Sequence, residues 1–262
     1  MRSGKPAAAF AVLLVVSFAT MNAMPSDTLL AAMLQEAVLA LVALVAVRFA
    51  VPDVLKRCTQ AVQQRNTVRF AAIALLLTGL IGGAVTLLTW LFADGGNVSG
   101  FVSAALPLAA GLIRNLLLLL GICLLTGVYE EAFMRVLGIE AFERALDTKR
   151  AILASAALFA LLHVGAPDVS AGQLVLLQTA LKFGQALLFG VILGALYART
   201  RRLWPCAFIH AGFDILYMAP NVLLTDTMPE TYASGAVGDT VLLAVSVLML
   251  SGIVLKICKE IA

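Results

Sequence analysis

Eight windows of sustained apolar character run along this sequence, at about 7–23, 29–51, 70–93, 108–129, 151–167, 174–198, 204–221 and 240–257. Each is long enough, or nearly so, to cross the hydrocarbon of a bilayer as a helix. In hydrocarbon a backbone N–H or C=O finds no water, so each span must satisfy its own hydrogen bonds. The pattern therefore predicts an all-α polytopic membrane protein, a bundle of about eight transmembrane helices. Spans of about 20 residues take up most of a 262-residue chain and leave connections too short for a soluble domain. Residues 1–262 read as one integral membrane domain. Composition agrees: 62% of the residues are hydrophobic and 13% charged, against about 25% charged in soluble domains, too little polar surface to coat a globule in water.

Lys and Arg test this parsing without using hydropathy, because they collect in the cytoplasmic connections of membrane proteins. Arg2 and Lys5; Lys56, Arg57, Arg65 and Arg69; Arg135, Arg144, Lys149 and Arg150; Arg199, Arg201 and Arg202; and Lys256 and Lys259 all fall on one side. The opposite connections hold Asp27, Asp94, Asp168, Asp226, Glu230 and Asp239, with no Lys or Arg. A missed or surplus span would break the alternation, so both termini are expected in the cytoplasm, in a bacterial inner membrane. The net charge of +3 then reports topology and gives no case for a nucleic-acid partner. The first window, preceded by Arg2 and Lys5, also has the outline of a signal peptide. Met21-Asn22-Ala23 is a poor cleavage site, and an uncleaved anchor is expected. Cys58, Cys123, Cys206 and Cys258 are isolated and read as packing residues. Gly79 with Gly83 and Gly190 with Gly194 have the small-xxx-small spacing that lets helices approach closely.

Ionisable residues inside spans are costly unless paired or wetted, which makes them functional candidates. They are Glu36, Arg48, Arg114, Glu130, Glu131, Arg135, His163, Lys182, His210 and Asp214. Arg48 and Arg114 can snorkel to an interface. Glu36 and Lys182 have an ordinary reading as a structural ion pair or water-lined positions. The others form a pattern. Glu130 and Glu131 point about 100° apart on a helix, with Arg135 one turn beyond Glu131, so one carboxylate can face a cavity while arginine holds the other. Phe159 stacks one turn before His163, and His210 lies one turn before Asp214. Glu130 and His163 lie at nearly equal sequence distances on either side of Asp147, hence at similar depth. His210, close to Arg201 and Arg202, is expected to be shallower, and a funnel entered from the cytoplasm would bring the three together.

The ordered set Glu130-Glu131-x-x-x-Arg135, Phe159-x-x-x-His163 and His210-x-x-x-Asp214 resembles the CPBP family, which joins type II CAAX prenyl proteases to bacterial relatives linked to bacteriocin processing and self-immunity (also called ABI). The motif-bearing core covers about 105–225. The resemblance implies a polar intramembrane cavity and an intramembrane endopeptidase that hydrolyses a peptide bond of a membrane-associated protein or peptide. It makes Glu130 the base that activates water and has His163 position that water. Arg135 and Glu131 support the site, and His210 with residue 214 stabilises the oxyanion. Many relatives carry Asn at 214, whose amide donates; an ionised Asp only accepts. Either Asp214 is protonated, or it orients His210 and another group faces the oxyanion. Two imidazoles and one or two carboxylates are an acceptable zinc set. No HExxH helix is present and Arg135 disfavours an adjacent dication, so no cofactor is expected, with zinc the alternative. The competing readings are a proton-coupled transporter, for which the sequence offers no repeated halves, and a non-catalytic bacteriocin-immunity protein.

Overall fold

The computed structural model describes residues 4–24, 26–56, 65–93, 109–164, 170–225 and 233–261. Among them eight long helices carry the chain, and there is no strand. The helices are α1 (Lys5–Ala23), α2 (Leu29–Ala50), α3 (Arg65–Ala93), α4 (Ala109–Glu130), α5 (Thr148–Val164), α6 (Gln173–Thr200), α7 (Leu203–Thr225) and α8 (Val237–Ile261). Local chemistry marks several ends. Pro6 sits in the first turn of α1, where its missing N–H costs nothing. The Thr28 hydroxyl caps α2 by accepting from the Ala31 N–H at 3.2 Å. Arg201 ends α6 in the left-handed region, with φ 50°.

The expected bundle of about eight helices is present, and among the described residues seven of the eight are long and apolar enough to cross a membrane. The exception is α5. Its apolar run begins only after Thr148, Lys149 and Arg150, and 17 residues reach about 25 Å at 1.5 Å per residue, short of a hydrocarbon core of about 30 Å. The outer faces carry large apolar side chains such as Phe49 and Ile113, each more than 70% exposed, as a lipid-facing surface requires. Arg2, Arg57, Cys58, Asp94, Asp168, Asp226 and Glu230 lie outside the described residues, as do the side chains of Cys258 and Lys259. Cys123 and Cys206 are buried free thiols, in keeping with a packing role.

Side by side, α2, α4, α7, α3, α8, α6 and α5 form a row of packed neighbours. The expected glycines make two of its seams. A Cβ on Gly79 would meet the Phe213 carbonyl at 2.7 Å, and one on Gly83 would strike the Leu216 carbonyl, so α3 and α7 touch backbone to backbone. Gly190 and Gly194 admit Ala156 and Ile152 in the same way between α6 and α5. Gly127 brings α4 onto α7, where a Cβ would lie 2.6 Å from the Ala207 carbonyl.

Beyond Glu130, α4 continues as a nine-residue π-helix, Glu131–Ile139, every residue of which is buried. Such runs are rare and occur mainly at functional sites. This segment touches α1, α2, α5, α6 and α7, which makes it the centre of the bundle. The Ser155 hydroxyl donates to the Met134 carbonyl at 2.7 Å, tying the segment to α5. It also takes Arg135 out of the basic end of the bundle, where the charge map had placed it: Arg135 is fully buried. After a helical turn at Glu140–Phe142, Glu140 and Glu143 grip the Arg201 guanidinium at 2.8 Å and at 2.6 and 2.9 Å. Arg202 and Leu203 are buried as well, so α7 begins inside the bundle, not at its rim.

Candidate active site

The π-helix sorts the two adjacent carboxylates. Glu131, its first residue, is fully buried; its Oε1 accepts from His210 Nδ1 at 2.8 Å and its Oε2 pairs with Arg135 Nε at 3.1 Å. The Arg135 guanidinium lies over the Phe159 ring, 4.6 Å from its centroid, so a cation without access to water is held by one carboxylate and one aromatic face. Glu130, the last residue of α4, retains 20% of its side-chain exposure and faces both imidazoles. Its Oε1 lies 3.9 Å from His163 Nε2, and its Oε2 lies 3.4 Å from His210 Nε2.

The histidines are held in different ways. His163 Nδ1 lies 2.9 Å from the Phe159 carbonyl, which can only accept, so Nδ1 carries a proton and the ring turns its Nε2 towards Glu130. Phe159 stacks on it at 4.1 Å, as the one-turn spacing led us to expect. His210 is enclosed by acceptors: Glu131 at Nδ1, and Asp214 (3.3 Å) and Glu130 at Nε2. Asp214 thus meets His210 directly. Glu130, Glu131, Arg135, Phe159, His163, His210 and Asp214 form one continuous cluster, contributed by α4 with its π extension, α5 and α7. The depth mismatch of His210 disappears because α7 starts at the buried Arg202–Leu203 turn.

Two cavities share Phe159 and His163 in their walls. One, of about 290 Å³, is walled by Glu130, Tyr129 and Met134 and, from α1, by Leu14 and Phe18. The first three helices carry no feature assignable to the resembled family, so this contribution of α1 was not legible; apolar residues in an apolar helix leave no signal. The other, of about 50 Å³, is bounded by His210, Asp214, Phe213 and, from α6, Lys182 and Gln185. Phe189 of α6 packs edge-on against His210 at 4.8 Å and is likewise invisible in sequence. Lys182 did carry a signal, a cation within an apolar window, although its ordinary reading was structural. Glu36 keeps a buried Oε2 with no hydrogen-bond partner.

Among the described residues no three His, Cys, Asp or Glu side chains are placed to hold a metal ion. Both His210 nitrogens face carboxylates, and one oxygen of Glu131 is committed to Arg135.

Membrane-length helices enclosing a carboxylate, two imidazoles and a cavity define an integral membrane protein with the groups that hydrolysis needs. Residues 112–216 match the family model described as Type II CAAX prenyl endopeptidase Rce1-like. That stretch, which carries all seven clustered residues, is similar to the Rce1-like family of membrane peptidases, in agreement with the resemblance borne by its motifs. Neither a curated protein nor a solved structure matched the chain.

Proposed function

We propose that this protein is an intramembrane endopeptidase in which Glu130 activates water to hydrolyse a peptide bond of a membrane-associated protein or peptide. The observation that carries this reading is the sorting of the carboxylates. Glu131 is spent on Arg135 and His210, while Glu130 opens on the larger cavity beside the His163 imidazole. A water about 2.8 Å from both Glu130 Oε1 and His163 Nε2 completes a triangle on their 3.9 Å separation. Glu130 takes the water proton as the oxygen attacks the carbonyl carbon. The carbonyl electrons move onto oxygen, and as the C–N bond breaks Glu130 returns the proton to the leaving amine. His210 Nε2 faces the developing oxyanion, and Asp214 orients that ring. The apolar cavity wall from α1 and α5 suits a substrate that reaches the site from lipid.

Mass spectrometry of membrane proteins incubated with the purified enzyme tests the reading: new peptide termini are expected with wild type and absent with Glu130→Gln. Proton-linked uptake into liposomes with no new termini would point to a carrier instead. Because water activation is assigned to Glu130 and His163, cleavage is expected to survive o-phenanthroline and EDTA at millimolar levels. Loss of cleavage that added zinc restores would overturn the metal-independent mechanism.

The protein is placed in a bacterial inner membrane with both termini in the cytoplasm, an orientation that the charge map supports. In a chain freed of its four cysteines, an impermeant thiol reagent outside the cell is expected to label Asp27→Cys or Asp239→Cys and to spare Lys149→Cys. The opposite labelling would invert the topology.

A further inference from the structure

Asp214 leaves a gap in the chemistry just described, on which this inference rests. A tetrahedral intermediate is stabilised by donors aimed at its anionic oxygen, and an ionised carboxylate has none to offer. His210 Nε2 is one donor, flanked by Asp214 at 3.3 Å and Glu130 at 3.4 Å. The smaller cavity contains the other. On its α6 side stands Lys182, outside every motif of the sequence, deep in a 28-residue helix where an ammonium is costly unless it has a task or a counter-charge. Lys182 Nζ donates to Gln185 Oε1 at 3.0 Å, and Gln185 Nε2 in turn donates to the Tyr217 hydroxyl at 2.9 Å. This chain runs from α6 to α7 and fixes where the ammonium sits. The cavity, about 50 Å³, has room for a carbonyl oxygen beside the ammonium.

We propose that Lys182 is a further catalytic residue, whose ammonium donates to the substrate carbonyl oxygen as it becomes anionic and so supplies, with His210, the donor that Asp214 cannot. The scissile carbonyl carbon sits beside Phe159 and His163, which wall both cavities. Water attacks from the Glu130 side, and the carbonyl oxygen turns into the smaller cavity. Lys182 keeps its proton throughout: the water proton goes to Glu130 and from there to the leaving amine. The competing role for Lys182 is to balance the charge of Asp214, which lines the same cavity.

A quenched fluorescent peptide with an S-farnesyl cysteine near its C-terminus, assayed in detergent, separates these roles when paired with a peptide aldehyde whose hydrate mimics the intermediate. Lys182→Met is expected to lower kcat by about 10²–10³-fold, the usual loss of one oxyanion donor. KM should stay within about threefold, because the contact is made only in the transition state. Aldehyde affinity should fall in parallel with kcat/KM, while the peptide binds Glu130→Gln/Lys182→Met as tightly as Glu130→Gln. Lys182→Arg, which retains a cation, should recover at least about tenfold of the loss. Cleavage by Lys182→Met within about threefold of wild type would remove Lys182 from the mechanism, and equal losses of aldehyde and peptide affinity would make it a charge-balancing residue. If Lys182→Met does not fold, the ratio of aldehyde to peptide affinity in Lys182→Gln decides the same question. A wild type that cuts neither this peptide nor any protein of a membrane extract defeats the peptidase reading and this assignment with it. A wild type that cuts while Lys182→Met cuts equally well defeats the assignment alone.

Discussion

Glu130→Gln is expected to reduce peptide-bond cleavage by about 10²–10⁴-fold, the range that a positioned general base supplies, while the thermal midpoint in detergent stays close to that of wild type. The amide keeps the size of the carboxylate and loses only the capacity to take a proton from water. Little structure depends on that proton acceptor. Glu130 stands 3.4 Å from His210 and 3.9 Å from His163, longer than ordinary hydrogen bonds, and is partly open to the larger cavity. Its neighbour is the control. Glu131→Gln alters a fully buried group that accepts at 2.8 Å from His210 and pairs with Arg135, so it should lower stability first and activity as a consequence. Turnover comparable to wild type in Glu130→Gln, measured with the same substrate and folded protein, would show that water is activated elsewhere.

Arg135→Met carries the largest expected effect on stability. The variant leaves Glu131 charged at a position with no exposure and with His210 as its remaining counterpart among the described residues. Removing one partner of a buried pair typically costs about 3–5 kcal/mol, because the other charge stays desolvated. The lower end is expected, since the His210 contact at 2.8 Å survives. Methionine replaces much of the packing volume over Phe159, so the loss is electrostatic more than steric. In the double variant Glu131→Gln/Arg135→Met no buried charge is orphaned, and most of the lost stability should return. Unfolding titrations in mixed micelles read both quantities. Additive losses in the double variant would mean that Arg135 acts through packing, not through Glu131.

The contrast between these adjacent carboxylates shows where the reach of the sequence stops. That one of them would face a cavity and the other an arginine follows from a 100° step on a helix with Arg135 one turn past Glu131. The register that carries it out is the π-helix, which depends on Ser155 from α5 and on packing against five helices. No periodicity in Glu131–Ile139 announces it. His210 is a second case. Counting residues from Arg201–Arg202 places it too shallow. The discrepancy vanishes because Glu140 and Glu143, far away in sequence, hold Arg201 at a buried turn. Among the described residues α5 alone is shorter than a membrane-length helix, for a local reason, its polar start.

The sequence by itself determined that this is an all-α polytopic membrane protein, and which few ionisable residues its interior holds. Hydrocarbon penalises each polar group separately, so a Glu or a His inside an apolar run is conspicuous wherever it falls. Only the tertiary structure decided which carboxylate meets the cavity, that α1 walls it, and that Lys182 of α6 stands across from His210. These are distances between helices distant in the chain, and packing, which depends on shape shared among several elements at once, leaves no mark on any one of them.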